Sequence, residues 1–177
     1  MIEKLAGSGI TPEFITFVIS ALPVAESRVS LPLAINLFGL PWYQAVAPAI
    51  IGNLLPVPLL LLFFGSLGRF LGRWKYSRPV SRWFVQRVER RAEAIEKYGT
   101  IGLLVFVAVP FPGTGAWTGA MAASLMRLGF RRSFLAITGG VIASAAIITA
   151  LSLAGWTGAV IAGVSLVSLA VLYFRKR

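Results

Sequence analysis

Four long stretches of the chain carry no charged residue: Phe14–Ala25, Val29–Gly68, Tyr98–Met126 and Ser133–Phe174. The last runs 42 residues, about twice the ~20 that one membrane-spanning helix needs. A soluble domain could bury a core without them, so the pattern predicts an all-α integral membrane protein. Two stretches are interrupted where an ordinary helix would run on. "VPFPGTGAWTG", residues 109–119, places two prolines and three glycines in the middle of 29 uncharged residues. "ESR", Glu26–Ser27–Arg28, separates two 12-residue apolar arms, Phe14–Ala25 and Val29–Leu40, with Pro23 before it and Pro32 after it.

The 177 residues carry a net charge of +11, and its placement matters more than its sum. Residues 69–97 hold nine basic residues and three glutamates; Arg127, Arg131 and Arg132 follow the second interrupted stretch; Arg175–Lys176–Arg177 end the sequence. Each cluster flanks an apolar run, which marks cytoplasmic retention and contact with anionic headgroups rather than with nucleic acid. If Ile101–Leu125 crossed the membrane once, the three arginines after it would lie opposite residues 69–97. A loop that dips in and returns keeps all three clusters inside. Its arms, Ile101–Val109 and Ala116–Leu125, have 9 and 10 residues. At 1.5 Å per residue each is roughly 14–15 Å long, about half the hydrocarbon thickness. Pro110 and Pro112 end the first arm, and the glycines let the backbone reverse.

The expected architecture is a single membrane domain over residues 1–177. Re-entrant loop 1 covers 14–40, a transmembrane helix 43–66, a cytoplasmic amphipathic helix 79–97, re-entrant loop 2 101–125, and transmembrane helices 133–154 and 159–174. In 79–97 the residues Val80, Trp83, Phe84, Val88, Ala92 and Ile95 recur at three- to four-residue spacing; a solvated linker helix is the plainer reading. Pro23 matches Pro110 at an offset of 87, and Gly39 matches Gly129 at 90. With the repeated order of loop and helix, this predicts an inverted repeat, a transporter architecture whose site lies near the midplane. The N-terminus is then outside and the C-terminus cytoplasmic, in a plasma or inner membrane. No clear cleavage site follows the first apolar run, so that segment is expected to be retained.

Cysteine, histidine and aspartate are absent. That removes thiol nucleophiles, histidine relays and the usual zinc and haem ligands, so no metal or cofactor is expected. Ser27 and Thr114 lack an activating base of those types, so no enzyme is expected either. Glu26 is the one carboxylate in an expected membrane segment, where a charge costs about 2.5–3.5 kcal/mol. It reads as a titrating proton site or as a salt-bridge partner of Arg28. Arg28 offers forked, permanently charged donors to a phosphate, or simply neutralises Glu26. Asn53, with Pro56 and Pro58, either unwinds the spanning helix beside the site or marks a packing kink. Arg127 reads as part of the site or, more plainly, as a topology determinant. Gly113, Thr114 and Gly115 precede Ala116–Leu125, where the first N–H groups carry about half a positive charge. They could form an anion site faced by Arg28; alternatively the glycines turn the chain and Thr114 caps the helix.

"ESRVSLP", "IGNLLPVPLLL" and "EKYGTIGLLVFVAVPFPGTGAWTG" together resemble the small multidrug export protein family, a relative of the DedA/VTT superfamily, from Leu22 to Gly140. The resemblance implies a compact transporter-like fold with two opposed re-entrant loops. It also implies proton-dependent handling of lipid carriers such as polyprenyl phosphates, and of phospholipids. Glu26 stands where DedA-like proteins have a membrane-embedded carboxylate. Their second-loop arginines have no counterpart in Val107–Gly115, "VAVPFPGTG". The expected function is a proton-coupled transporter or flippase for an anionic amphiphile. A proton-coupled multidrug exporter and a non-transporting assembly protein are the alternatives. Membrane lipids and protons are the expected partners, and a homodimer is left open.

Because the chain lacks cysteine, introduced thiols report topology cleanly. Ser81→Cys, Ser133→Cys and a C-terminal cysteine should label from the cytoplasm, and Ser8→Cys from outside. Labelling of positions 81 and 133 from opposite sides would exclude the second re-entrant loop.

Overall fold

A computed structural model describes residues 10–63 and 98–155, apart from 112 and 127. Every regular element among them is helical. Helix α1 is Pro12–Ala21 and α2 is Glu26–Pro32, followed by a π-helical turn Leu33–Leu37; α3 is Trp42–Leu54. Helix α4 is Tyr98–Ala108; α5 is Ala116–Leu125 and α6 is Phe130–Leu153. The expected helices 79–97 and 159–174 lie outside the described residues, as does Arg127.

Local chemistry explains the element ends. Thr11 caps α1, its hydroxyl accepting from the Phe14 N–H at 3.3 Å, and Pro12 occupies the first turn, where a missing N–H costs nothing. Leu22 ends the helix in an extended conformation, ψ 141°, because Pro23 bars the α region to the residue before it. The break in the first apolar region therefore falls at 22–25, and "ESR" is helical rather than the interruption expected.

The second arm of loop 2 coincides with the expected Ala116–Leu125, whereas its first arm starts at Tyr98 rather than Ile101. Helix α6 begins at Phe130, three residues before the expected 133. That places exposed Arg131 and Arg132 in its first turn and buries Ser133 completely. A cysteine at Arg131 or Arg132 is thus a better topology reporter than one at Ser133.

Helical residues resume after Leu55–Pro56, so that Trp42–Phe63 spans 22 residues and α6 spans 24; both are long and apolar enough to cross a membrane. On α6 the buried positions include Ala136, Ile137, Val141, Ala145 and Ile148, while Leu135, Ile142, Ile147 and Leu153 are exposed. Several large apolar side chains face outward, as suits an apolar surrounding, while the inward positions mix alanines with Ile137, Val141 and Ile148.

The chain divides into two units. One combines Met1–Gly52 with Ala145–Arg177, and the other is Asn53–Ser144. In the first, Leu31, Ala34, Ala45, Ala49, Ala145 and Ile148 form a buried cluster flanked by Ile35, Leu40, Val46 and Ile50. Helix α1 packs on α2 and on the π-helical turn. Gly52 of α3 is pressed onto α1: a β-carbon there would collide with the Phe17 carbonyl oxygen and lie 3.0 Å from Ser20 Cβ.

In the second unit, Gly119 of α5 and Gly140 of α6 both seat against α4. A β-carbon at Gly119 would lie 2.6 Å from Val107 Cγ2, and one at Gly140 would lie 2.7 Å from the Leu104 carbonyl oxygen and 2.6 Å from Val107 Cβ. The two main contacts match to within one residue. Leu104 and Val107 each fall 87 residues after Phe17 and Ser20, and Gly140 falls 88 after Gly52. The pair Gly39 and Gly129 is less alike, since Gly39 has φ 69° and Gly129 no positive φ.

Adding a methyl in these seams should be costly, whereas Gly129 has open space around it. Gly52→Ala and Gly140→Ala should each destabilise by about 1–3 kcal/mol, with Gly129→Ala within roughly 0.5 kcal/mol of wild type. Thermal melting of the detergent-purified variants measures the difference.

Candidate functional site

The first break is built around Glu26. Pro23 forces the chain out of α1, and the turn closes with the Glu26 N–H donating to the Leu22 carbonyl at 3.1 Å and the Val29 N–H to the Ala25 carbonyl at 3.2 Å. Glu26 opens α2 with φ 49°, the one non-glycine residue at positive φ among those described. A left-handed conformation costs an L-residue of this kind on the order of 1–3 kcal/mol and persists only where the surroundings impose it. Glu26 is also buried, at 6% exposure. A strained, buried carboxylate at a helix break is a combination that structural packing alone does not require.

Its neighbours are polar. Arg28, half-buried on the same helix, acts electrostatically on the Glu26 carboxylate. Ser27 and Ser30 are buried beside it, and Ser30 shares a buried hydrogen bond with Ser20 of α1. One turn earlier on α1, the buried Thr16 hydroxyl donates to the Pro12 carbonyl at 2.8 Å. Pro32 sits inside α2, and the helix widens immediately after it: the Phe38 N–H reaches back five residues to the Leu33 carbonyl at 2.9 Å. Proline takes one donor from the ladder and crowds the carbonyl four residues before it, so the helix resumes in the wider π pattern often found near functional sites.

The second break is uncharged. The Phe111 N–H donates to the Val109 carbonyl at 2.8 Å, and the Thr114 N–H to the Phe111 carbonyl at 3.1 Å. The Thr114 hydroxyl lies 2.8 Å from both the Val109 and the Phe111 carbonyl oxygens, so it ties the turn to itself. It does not cap α5. The N-cap is Gly115, at φ 154°, with no side-chain cap bond. Gly113 is exposed at φ 83°, so the turn needs glycine there for its backbone and leaves that backbone open to approach.

The structure thus draws Glu26 and Arg28 together, and holds Gly113, Thr114 and Gly115 as one turn. Glu26 and Arg28 belong to the first unit, and Gly113–Gly115 to the second. Asn53 is 2% exposed on α3, next to Gly52 and on the stripe begun by Ala45 and Ala49. Thr16, Ser20 and Ser30 were not singled out from sequence. Their signal is faint: hydroxyls four residues apart in apolar helices, at positions where alanine is equally common. Glu13 and Glu26 are the carboxylates among the described residues, and no group of three metal-ligating side chains gathers there.

A protein-family comparison matches the family described as "Putative small multi-drug export protein" over residues 26–147, more than half of the chain. The chain belongs to that family. The match with this small multi-drug export family begins on Glu26, just after the first break, and spans the second, leaving α1 outside it. Membership and the two long apolar helices fit a membrane location. No curated protein and no solved structure matches the chain.

The left-handed backbone at Glu26 has a measurable signature. In most helical positions glycine is about 1 kcal/mol less stable than alanine. At φ 49° alanine keeps the strain and glycine does not, so Glu26→Gly should melt above Glu26→Ala. The reverse order would mean that residue 26 is an ordinary helical position.

Proposed function

We propose that the protein is a proton-coupled membrane exporter in which Glu26 binds and releases the driving proton. The observation that carries this is the buried Glu26 carboxylate, held at φ 49° in a helix break beside Arg28. An ion at membrane depth is expensive, and a group that can lose its charge by protonation offers a natural coupling element. The family description supports export as the activity. The reading is of transport without chemistry on the cargo, since cysteine, histidine and aspartate are absent.

The finer architecture is part of the same proposal. Each apolar half is a re-entrant hairpin followed by a spanning helix, with the halves inverted relative to one another and kinship to the DedA/VTT superfamily. The matched seating of Gly52 on α1 and Gly140 on α4 supports a repeat. The N-terminus outside, a cytoplasmic C-terminus and a cell-membrane location follow from the basic clusters. The preferred cargo is an anionic amphiphile, a polyprenyl phosphate or phospholipid, because Arg28 offers a fixed cation suited to a phosphate. A drug cargo is the second reading, favoured by the family's description.

Reconstitution in proteoliposomes with an imposed pH gradient tests both. Wild-type protein should move a labelled short-chain phosphatidylglycerol in response to the gradient, and Glu26→Gln should lose that response while melting within a few degrees of wild type. Gradient-driven transport retained by folded Glu26→Gln would overturn proton coupling at this residue. Movement of ethidium instead of the lipid would replace the anionic cargo with the drug reading.

A further inference from the structure

Helix α6 exposes one face whose character changes along its length. Arg131, Leu135 and Ile142 are exposed at spacings of four and seven residues, which stacks them on one side of the helix. Arg132 is exposed beside Arg131, and the Phe130 and Phe134 rings stack next to them with centroids 6.2 Å apart. Gly139 stands between Leu135 and Ile142 and leaves a notch there. Leu104 of α4 borders the notch, since a β-carbon at Gly139 would lie 3.1 Å from Leu104 Cδ1. Leu104 and its neighbours Ile101 and Val105 are exposed as well, so an apolar wall runs beside it. The basic end is electrically unbalanced. Among the described residues of the second unit, Arg131 and Arg132 are the charged side chains, and no carboxylate occurs. They occupy the first turn of α6, which holds no acidic residue, at the helix end where the macrodipole is positive and cations are disfavoured. Both effects favour an anion brought from outside. The 24 residues of α6 span about 36 Å, roughly one turn more than the ~30 Å of hydrocarbon. With Leu135 and Ile142 in hydrocarbon, the arginines stand at headgroup level.

We propose that this face of α6 seats one acidic phospholipid, its phosphate against Arg131 and Arg132 and an acyl chain along Leu135 and the Gly139 notch to Ile142. The seat is separate from Glu26 and does not depend on proton coupling. Guanidinium forks match phosphate oxygens, and two of them with no carboxylate nearby favour a headgroup of net negative charge. A zwitterionic headgroup brings its own ammonium, which neutralises the phosphate and repels the arginines. The stacked Phe130 and Phe134 rings suit the boundary between headgroup and chain, where aromatic side chains concentrate. A topology signal needs only the two charges. The apolar notch in line with them gives the face the shape of a single lipid. Because the bound lipid supplies the missing negative charge and fills the notch beside α4, its binding stabilises the folded protein.

The test titrates detergent-purified protein with dioleoyl phosphatidylglycerol, dioleoyl phosphatidylcholine and glycerol 3-phosphate. Melting temperature and, by native mass spectrometry, bound lipid are read. Wild type should hold one phosphatidylglycerol at least about tenfold more tightly than phosphatidylcholine, and glycerol 3-phosphate should leave the melting temperature unchanged. Arg131→Gln/Arg132→Gln should lose that preference. Arg175→Gln/Lys176→Gln, which removes the same charge from the end of the sequence, should keep it. Arg131→Gln and Arg132→Gln should each lose part of it, so the outcome does not hang on the folding of the double variant. Equal retention of the two lipids by wild type, or equal loss in the Arg175→Gln/Lys176→Gln protein, would overturn the seat and leave the arginines as topology determinants. Stabilisation by glycerol 3-phosphate as large as that by lipid would replace the lipid with a free anion. Glu26→Gln should bind phosphatidylglycerol as wild type does, whatever its transport. Loss of the bound lipid in that variant would overturn the seat on α6 and move the lipid to the proposed cargo site.

Discussion

Where a helix stops, its carbonyl and N–H groups need new partners, and each one left alone away from water costs several kcal/mol. Both breaks in this chain answer that demand internally. At the first, the turn after Pro23 keeps helical bonding alive, with Glu26 reaching Leu22 and Val29 reaching Ala25. At the second, prolines remove donors that would otherwise need partners, and Thr114 supplies two carbonyls with its own hydroxyl and its own N–H. The rest of the architecture depends on these two turns, because they decide which helical faces can meet.

The two breaks solve the same problem with opposite chemistry. One places a carboxylate and a guanidinium in a seam of serines; the other uses glycines, prolines and one threonine, with no charge at all. Glu26 combines burial with a left-handed backbone, and the charge beside it is that of Arg28. A left-handed backbone at a non-glycine residue carries a persistent energetic cost.

Close packing then ties each break to its long helix. Gly52 against Phe17 and Ser20, and Gly140 against Leu104 and Val107, bring helix backbones nearly into contact. Lipid tails are as apolar as leucine, so helices in a membrane gain little from hiding apolar surface and much from close approach. Alanines accordingly recur among the buried positions, and the glycines sit where helices meet. This arrangement also leaves little space for an internal polar group without a nearby partner, and Ser20 and Ser30 meet that condition by bonding to each other.

Much of this was legible in the residues themselves. Runs without charge set the class, because only a helix can take backbone through hydrocarbon with its hydrogen bonds closed locally. Proline and glycine located the second break for equally local reasons, and the bounds of α5 follow directly from Gly115 and the apolar run after it. The sequence misplaced the first break by a few residues, since the charges of "ESR" drew attention away from the proline that stops the helix. Only the tertiary structure decided that Glu26 is left-handed, that Ser20 meets Ser30, and that Gly52 and Gly140 are the points of closest approach. Those facts depend on which segment lies across from which, and no pattern within a single helix encodes the identity of its neighbour.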